Sequence, residues 1–176
     1  NGDDIAALAE GGSPMSLAGS ALEGLIETDI GAEMENGSTS AFLRIPFEVS
    51  DPGAIGSLLL ELNYGDGFIA YLNGLEVARA NAPVDGDWDG TATANRSIPE
   101  MLSTSRWVIE APAAQLRRGL NILAIQGLKA SADDPDFLIA PRLVARFSES
   151  SAWFAEPTPG EDNSAGRRFL VSAVEM

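Results

Sequence analysis

From residue 42 onward apolar and polar positions alternate with a period of two. In residues 42–49, Leu43, Ile45, Phe47 and Val49 share one face while Arg44 and Glu48 take the other, the pattern of a half-buried strand. Pro46 has no N–H for a ladder bond, so it predicts an edge position or a bulge. Asp51-Pro52-Gly53 is a turn, after which residues 57–63 put Leu58, Leu60 and Leu62 on one face. Tyr64-Gly65-Asp66-Gly67 turns the chain again. Residues 67–73 and 75–80 flank Asn73-Gly74, a pair that tolerates the positive φ angles of a type I′ hairpin. This is the strongest local signal in the chain. Tyr71 shares a face with Ile69, away from Phe68 and Leu72, which leaves it either exposed on the sheet or lodged between layers.

Residues 81–106 hold Pro83, Trp88 and several Asp, Gly, Ser and Thr, and read as a long excursion with little regular structure. Residues 107–110 form a short strand. Residues 113–118 read as one helical turn stopped by Gly119. Residues 120–128, mostly apolar but for Asn121 and Gln126, read as a buried strand. An acidic loop spans 130–136, and 137–147 alternates again, interrupted by Pro141. The first 40 residues are weakly patterned. Asp3-Asp4 ahead of Ile5, Leu8 and Ala9 suits the cap of a short helix, and Leu17, Leu22, Leu25 and Ile26 suit a second. Six strand patterns, short turns and no long helix predict an all-β, two-layer sandwich with short N-terminal helices. The expected organisation is a leading segment at 1–40, the sandwich at 41–147 and a Pro/Gly linker at 148–163. In residues 164–176, Phe169, Val171 and Ala173 alternate, as an extra strand or the start of another domain.

The length of 176 residues suits one domain, and 45% hydrophobic content excludes a disordered acidic chain. No apolar run approaches the roughly 20 residues that span a bilayer, so membrane insertion is not expected. Asp and Glu total 26 against 11 Lys and Arg, a net charge of −15. That field repels nucleic acid and anionic membranes, and disfavours anionic polysaccharides unless a cation or local Arg cluster intervenes. It reads as solubility, adaptation to a salty habitat, or cation binding in the Asp-rich loops. With neither His nor Cys, a Ser-His-Asp triad, imidazole zinc sites, thiolate sites and disulfides are all ruled out. Among 26 acids, spacing alone identifies no pair for glycoside hydrolysis. The expectation is a non-catalytic chain. It starts at Asn1 without Met or a signal-peptide pattern and reads as an excised or processed fragment.

The segment running from Asn63 through Tyr-Gly-Asp-Gly-Phe-Ile-Ala-Tyr-Leu-Asn-Gly-Leu-Glu-Val-Ala-Arg-Ala-Asn-Ala to Pro83 resembles a jelly-roll module of the galactose-binding-domain-like superfamily. That module recurs in large secreted bacterial proteins near lamin-tail, CotH-like and phosphoesterase domains. The hairpin is also similar to the sugar-binding domain of family 2 glycoside hydrolases. Leu116-Arg-Arg-Gly-Leu-Asn-Ile-Leu-Ala-Ile-Gln126, Asp136-Phe-Leu-Ile-Ala-Pro141 and Trp153-Phe-Ala-Glu-Pro-Thr-Pro-Gly160 resemble later parts of the module. The resemblance covers residues 30–160. It implies a jelly-roll fold, carbohydrate binding in many members, a structural calcium ion in many, an extracellular setting and other domains of one parent chain as partners. Some members only space other domains, and fold does not choose among these roles.

Trp88, within Asp85-Gly86-Asp87-Trp88-Asp89-Gly90, is the first candidate for a glycan contact. An indole face stacks on the C–H face of a pyranose, and Asp87 beside it accepts hydroxyl hydrogen bonds. The alternative is that Trp88 folds back as a plug beneath its loop. Arg79, Asn81 and Asn95 carry the groups that read vicinal hydroxyls; the alternative is that they pin loops. For calcium, which takes six to eight oxygen ligands, the candidates are Asp85, Asp87 and Asp89, and separately Asp133, Asp134 and Asp136. The first set opens like an EF-hand loop, but its twelfth position is Arg96, not Glu. Solvated acidic loops are the alternative for both.

Overall fold

The computed structural model describes residues 5–10, 15–16, 25–34, 37–110 and 112–148. The strands are β1 Ile5–Glu10, β2 Met15–Ser16, β3 Ser40–Val49, β4 Ile55–Tyr64, β5 Gly67–Leu72, β6 Leu75–Ala80, β7 Ser105–Glu110, β8 Gly119–Leu128 and β9 Phe137–Phe147. They form two antiparallel sheets. One runs β1-β9-β4-β7, with β2 also on β9, and the other runs β3-β8-β5-β6. From β3 to β9 the chain changes layer at every connection except the β5–β6 hairpin. The result is the expected all-β sandwich.

The inward faces are those that the period of two marks. Leu58, Leu60, Leu62, Phe68, Leu72 and Leu123 are fully buried between the sheets, each contributing about 2 kcal/mol of apolar burial. Tyr64, Phe68 and Trp107 pack as an aromatic group, with Phe68 ring centroids 4.9 Å from both others. Where β8 crosses β9 the sheets approach so closely that a Cβ on Gly127 would lie 2.6 Å from Ile139 Cγ1 and 2.7 Å from Phe137 Cζ.

Asn73 and Gly74 have φ of 51° and 88°, the positive pair of a type I′ turn. Asn73 also ties the hairpin to β8: its Nδ2 donates to Asn121 Oδ1 at 2.8 Å, and Ile122 N–H donates to its Oδ1 at 3.0 Å. Asn121 is fully buried, and it satisfies itself on Arg117 and Gly119 backbone as well. Pro46 lies on β3, an edge strand. Pro141 does not interrupt β9. It pairs with Leu62 on one side, and on the other falls between the last β1 register pair, Glu10 with Arg142, and the first β2 pair, Met15 with Leu138. Such a gap in the ladder is where a missing N–H is tolerated.

Two regions differ from expectation. Residues 5–10 are a strand, not a short helix: pairing with β9 overrides the helix-favouring run of alanines. The helix found early in the chain is α1, Gly31–Met34. The excursion at 81–106 also contains α2, Ile98–Leu102, whose N-cap Ser97 donates from N–H and Oγ to Glu100 Oε2. The helical turn expected at 113–118 is a 3-10 turn at Pro112–Ala114. Residues 17–24, which carry most of the second helix expectation, and residues 149–176, with the linker and tail, lie outside the described residues. No described helix is long and apolar enough to cross a membrane.

Candidate functional site

The outer face of the β3-β8-β5-β6 sheet carries the candidate site. Register places Phe42, Gln126, Ile69 and Arg79 in one cross-strand row, and Arg44, Ala124 and Tyr71 in the next. The small side chain of Ala124, between Arg44 and Tyr71, leaves a depression. The loop after β6 folds over one side of this face. Its backbone passes so close to the sheet that a Cβ on Gly86 would sit 3.0 Å from Ile69 Cδ1, and Ile69 is buried beneath it.

Side chains of the sheet bolt that loop down by its carbonyls. Gln126 Nε2 donates to Asp87 O at 2.9 Å, Ser40 Oγ to Trp88 O at 2.6 Å and Thr39 Oγ1 to Asp89 O at 2.7 Å. The loop backbone is therefore anchored while its side chains are left to solvent. Trp88 is 76% exposed, so it is not a plug beneath its loop. Gly86, Asp87 and Trp88 of the loop and Phe42, Arg44, Tyr71, Ala124 and Gln126 of the sheet line an open cleft of about 350 Å³. Phe42 is itself half exposed. Tyr71 lines this cleft, on the outer side of the sheet.

Of the residues proposed from sequence, Trp88 and Asp87 meet in the cleft and the other three do not. Arg79 grips Glu76 with two hydrogen bonds of 2.6 Å and donates to Pro83 O at 2.7 Å, fixing the exit from β6. Asn81, at φ 47°, donates to Asp66 O at 2.8 Å. Asn95 donates to Asp134 Oδ2 at 2.9 Å. These groups hold loops together at one end of the sandwich instead of converging with Trp88. Around Asn81 and Asn95 the central group is Asp66, a residue that reads from sequence only as part of a turn. It is buried, and its carboxylate accepts from Arg96 N–H at 2.9 Å and Ala130 N–H at 2.7 Å. Burial, reinforced by nearby Asp134, pushes the Asp66 carboxyl above its ordinary range despite those two donors. Arg96 completes the junction by stacking 3.8 Å from the Tyr64 ring centroid and donating to Tyr64 O.

Among the described residues no three acidic side chains converge as a metal-binding group. Asp85, Asp87 and Asp89 are exposed along the loop, as is Asp133. Asp134 is occupied by Asn95 and by Asp136 N–H. Asp136 is half-buried, and burial together with Asp134 raises its carboxyl above the usual range. A calcium ion takes six to eight oxygens around one point, backbone carbonyls included, and the carboxylates of neither run by themselves form such a point.

The sequence reading missed Phe42, Arg44 and Gln126. Gln126 is a polar break in a mostly apolar run and Arg44 lies on the outward face of an alternating strand, which was the available signal. Only the register shows that they face the same side as Tyr71.

No family model matches the chain, and no curated protein matches it. Solved structures similar to it include a GH2 β-galacturonidase from Eisenbergiella tayi bound to glycerol, at 11% identity and TM-score 0.42 over 81% of this chain. The PA14 domain of the MpAFP antifreeze protein is similar at 14% identity and TM-score 0.34 over 78% of the chain. The catalytic unit of a GH87 α-1,3-glucanase from Streptomyces thermodiastaticus gives 14% and 0.34 over 91%. The matched regions make up 24%, 62% and 29% of those chains respectively, so this chain is similar only to a part of each.

Proposed function

We propose that this chain is a non-catalytic carbohydrate-binding module of an exported multi-domain protein, and that it holds glycan in the cleft beneath Trp88. The observation that carries this reading is an indole left in solvent by a loop whose backbone is bolted to the sheet. Large exposed aromatics beside a concave surface are the usual means of gripping a sugar's apolar face. Phe42 and Tyr71 widen the apolar platform, while Asp87 and Arg44 supply an acceptor and a donor for hydroxyl and acidic groups. A cleft this open gives weak binding per site, with avidity supplied by other modules of the parent chain. The exported setting rests on the resemblance of the hairpin and β8 motifs.

A glycan array probed with the wild type and with Trp88→Ala tests this. The expected result is binding to at least one saccharide that falls by about tenfold or more in the variant, the loss of one stacking contact and its desolvated surroundings. If the wild type binds no glycan, the chain is a spacer or adhesive domain, the reading that the pinned Arg79, Asn81 and Asn95 would then serve.

A further inference from the structure

Arg44 is the cationic group of the cleft, and no interaction among the described residues uses its side chain. Arg79 is paired with Glu76, and Arg106 and Arg142 flank Glu61. Arg96 and Lys129 donate to backbone carbonyls. Arg44 is exposed and has no ion pair or hydrogen bond among the described residues. It projects from the same sheet face as Phe42 and Tyr71 and lines the cleft with Trp88.

We infer that the cleft selects a saccharide bearing a carboxylate, with Arg44 as the group that reads the acid. This rests on the carbohydrate-binding reading above and narrows its ligand. A guanidinium presents donors in a planar fork that matches a carboxylate in bidentate fashion, and the opposite charge makes that pair stronger than the one it forms with vicinal hydroxyls. Aromatic contacts from Trp88, Phe42 and Tyr71 would hold the ring while Arg44 holds the acid group at its edge. Two features oppose it: the chain's charge of −15 and the carboxylate of Asp87 in the same cleft. The first is screened beyond roughly 8 Å at physiological salt, so at contact distance the local cation decides. The second is an acceptor for ring hydroxyls, and no ion pair joins Asp87 to Arg44.

The test pairs each acid with its own neutral form. Oligosaccharides of galacturonate, glucuronate and mannuronate, and the same chains with their carboxyl groups reduced to alcohols, are titrated by calorimetry into wild type, Arg44→Gln and Trp88→Ala. At least one acidic chain is expected to bind the wild type about tenfold more tightly than its reduced partner, the usual gain of a charge-assisted over a neutral hydrogen bond. Arg44→Gln brings that ratio close to one, because the acidic chain loses far more affinity than its reduced partner, and leaves the melting temperature unchanged. Trp88→Ala weakens both forms. Reduced chains that bind as tightly as acidic ones, or a ratio that survives Arg44→Gln, overturn the inference and leave the glycan-binding reading standing. If wild type binds no chain of either kind and no glycan on the array, both fall.

Discussion

Replacing Gln126 with Ala tests how the sheet positions the loop that carries Trp88. Gln126 is buried, and its Nε2 donates to Asp87 O at 2.9 Å and, more weakly, to Trp88 O at 3.4 Å. Truncation removes one good hydrogen bond and leaves the Asp87 carbonyl without that donor, a loss of about 1–2 kcal/mol. The anchors from Ser40 and Thr39 to Trp88 O and Asp89 O remain, so the loop loosens without leaving the sheet. The cost falls on local opening: every 1.4 kcal/mol is about tenfold in the open population. Native-state proteolysis with an enzyme that cuts beside aspartate, at Asp85, Asp87 and Asp89, reads that population when reclosing is faster than cleavage. The variant is expected to be cut about tenfold faster, with an unchanged slope of urea unfolding showing that the sandwich itself is intact. A cleavage rate within a factor of two of wild type would refute the account of the loop as bolted through its carbonyls.

Gly127→Ala puts a Cβ against Ile139 and Phe137 where the two sheets are closest, and is expected to cost about 1–3 kcal/mol by overpacking; urea denaturation measures it, and a change below about 0.5 kcal/mol would mean the layers yield easily there. Stability should also respond to pH with two opposite signs. Asp66 and Asp136 have carboxyls raised above 3.8 in the fold, so the folded state binds protons first and stability rises as pH falls through their folded values toward 3.8. Arg106 and Arg142 hold Glu61 below 4.5, a stabilisation fully present above 4.5 and lost as pH falls through its lower folded value. Stability is therefore expected to gain from the two raised carboxyls as pH falls through their folded values and to lose the Glu61 contribution at lower pH; Asp66→Asn should remove part of the gain, and a pH profile of melting temperature identical to wild type would contradict the burial assigned to Asp66.

The strands from β3 to β9 were legible because each carries a clean period of two or a compact apolar run, and the Asn73-Gly74 bend set the first two pairs of its hairpin, Leu72 with Leu75 and Tyr71 with Glu76, before a bulge shifts the register by one. β1 was not legible. Its residues are alanine-rich, which reads as helix locally, and only the exposed edge of β9 makes them a strand. α2 hides in an irregular stretch, although Ser97 and Glu100 at capping-box spacing marked its start. The cleft was legible only in part. Trp88 and Asp87 stood out by composition, but Phe42, Arg44, Tyr71 and Gln126 come from three strands and meet only through cross-strand register. Arg79, Asn81 and Asn95 looked equally suited to sugar by chemistry. Their partners Glu76, Asp66 and Asp134 become visible only once the loops are folded, and those partners assign them to holding the loops.

Mapping backbone amide shifts while a bound oligosaccharide is titrated into the labelled protein locates the contact surface residue by residue. The expected result is a continuous patch of saturating shifts at Phe42, Arg44, Tyr71, Gly86, Asp87, Trp88, Ala124 and Gln126, with the β1-β9-β4-β7 sheet unmoved. Saturating shifts confined to that second sheet, or to the loop junction around Asp66, would contradict the placement of the site.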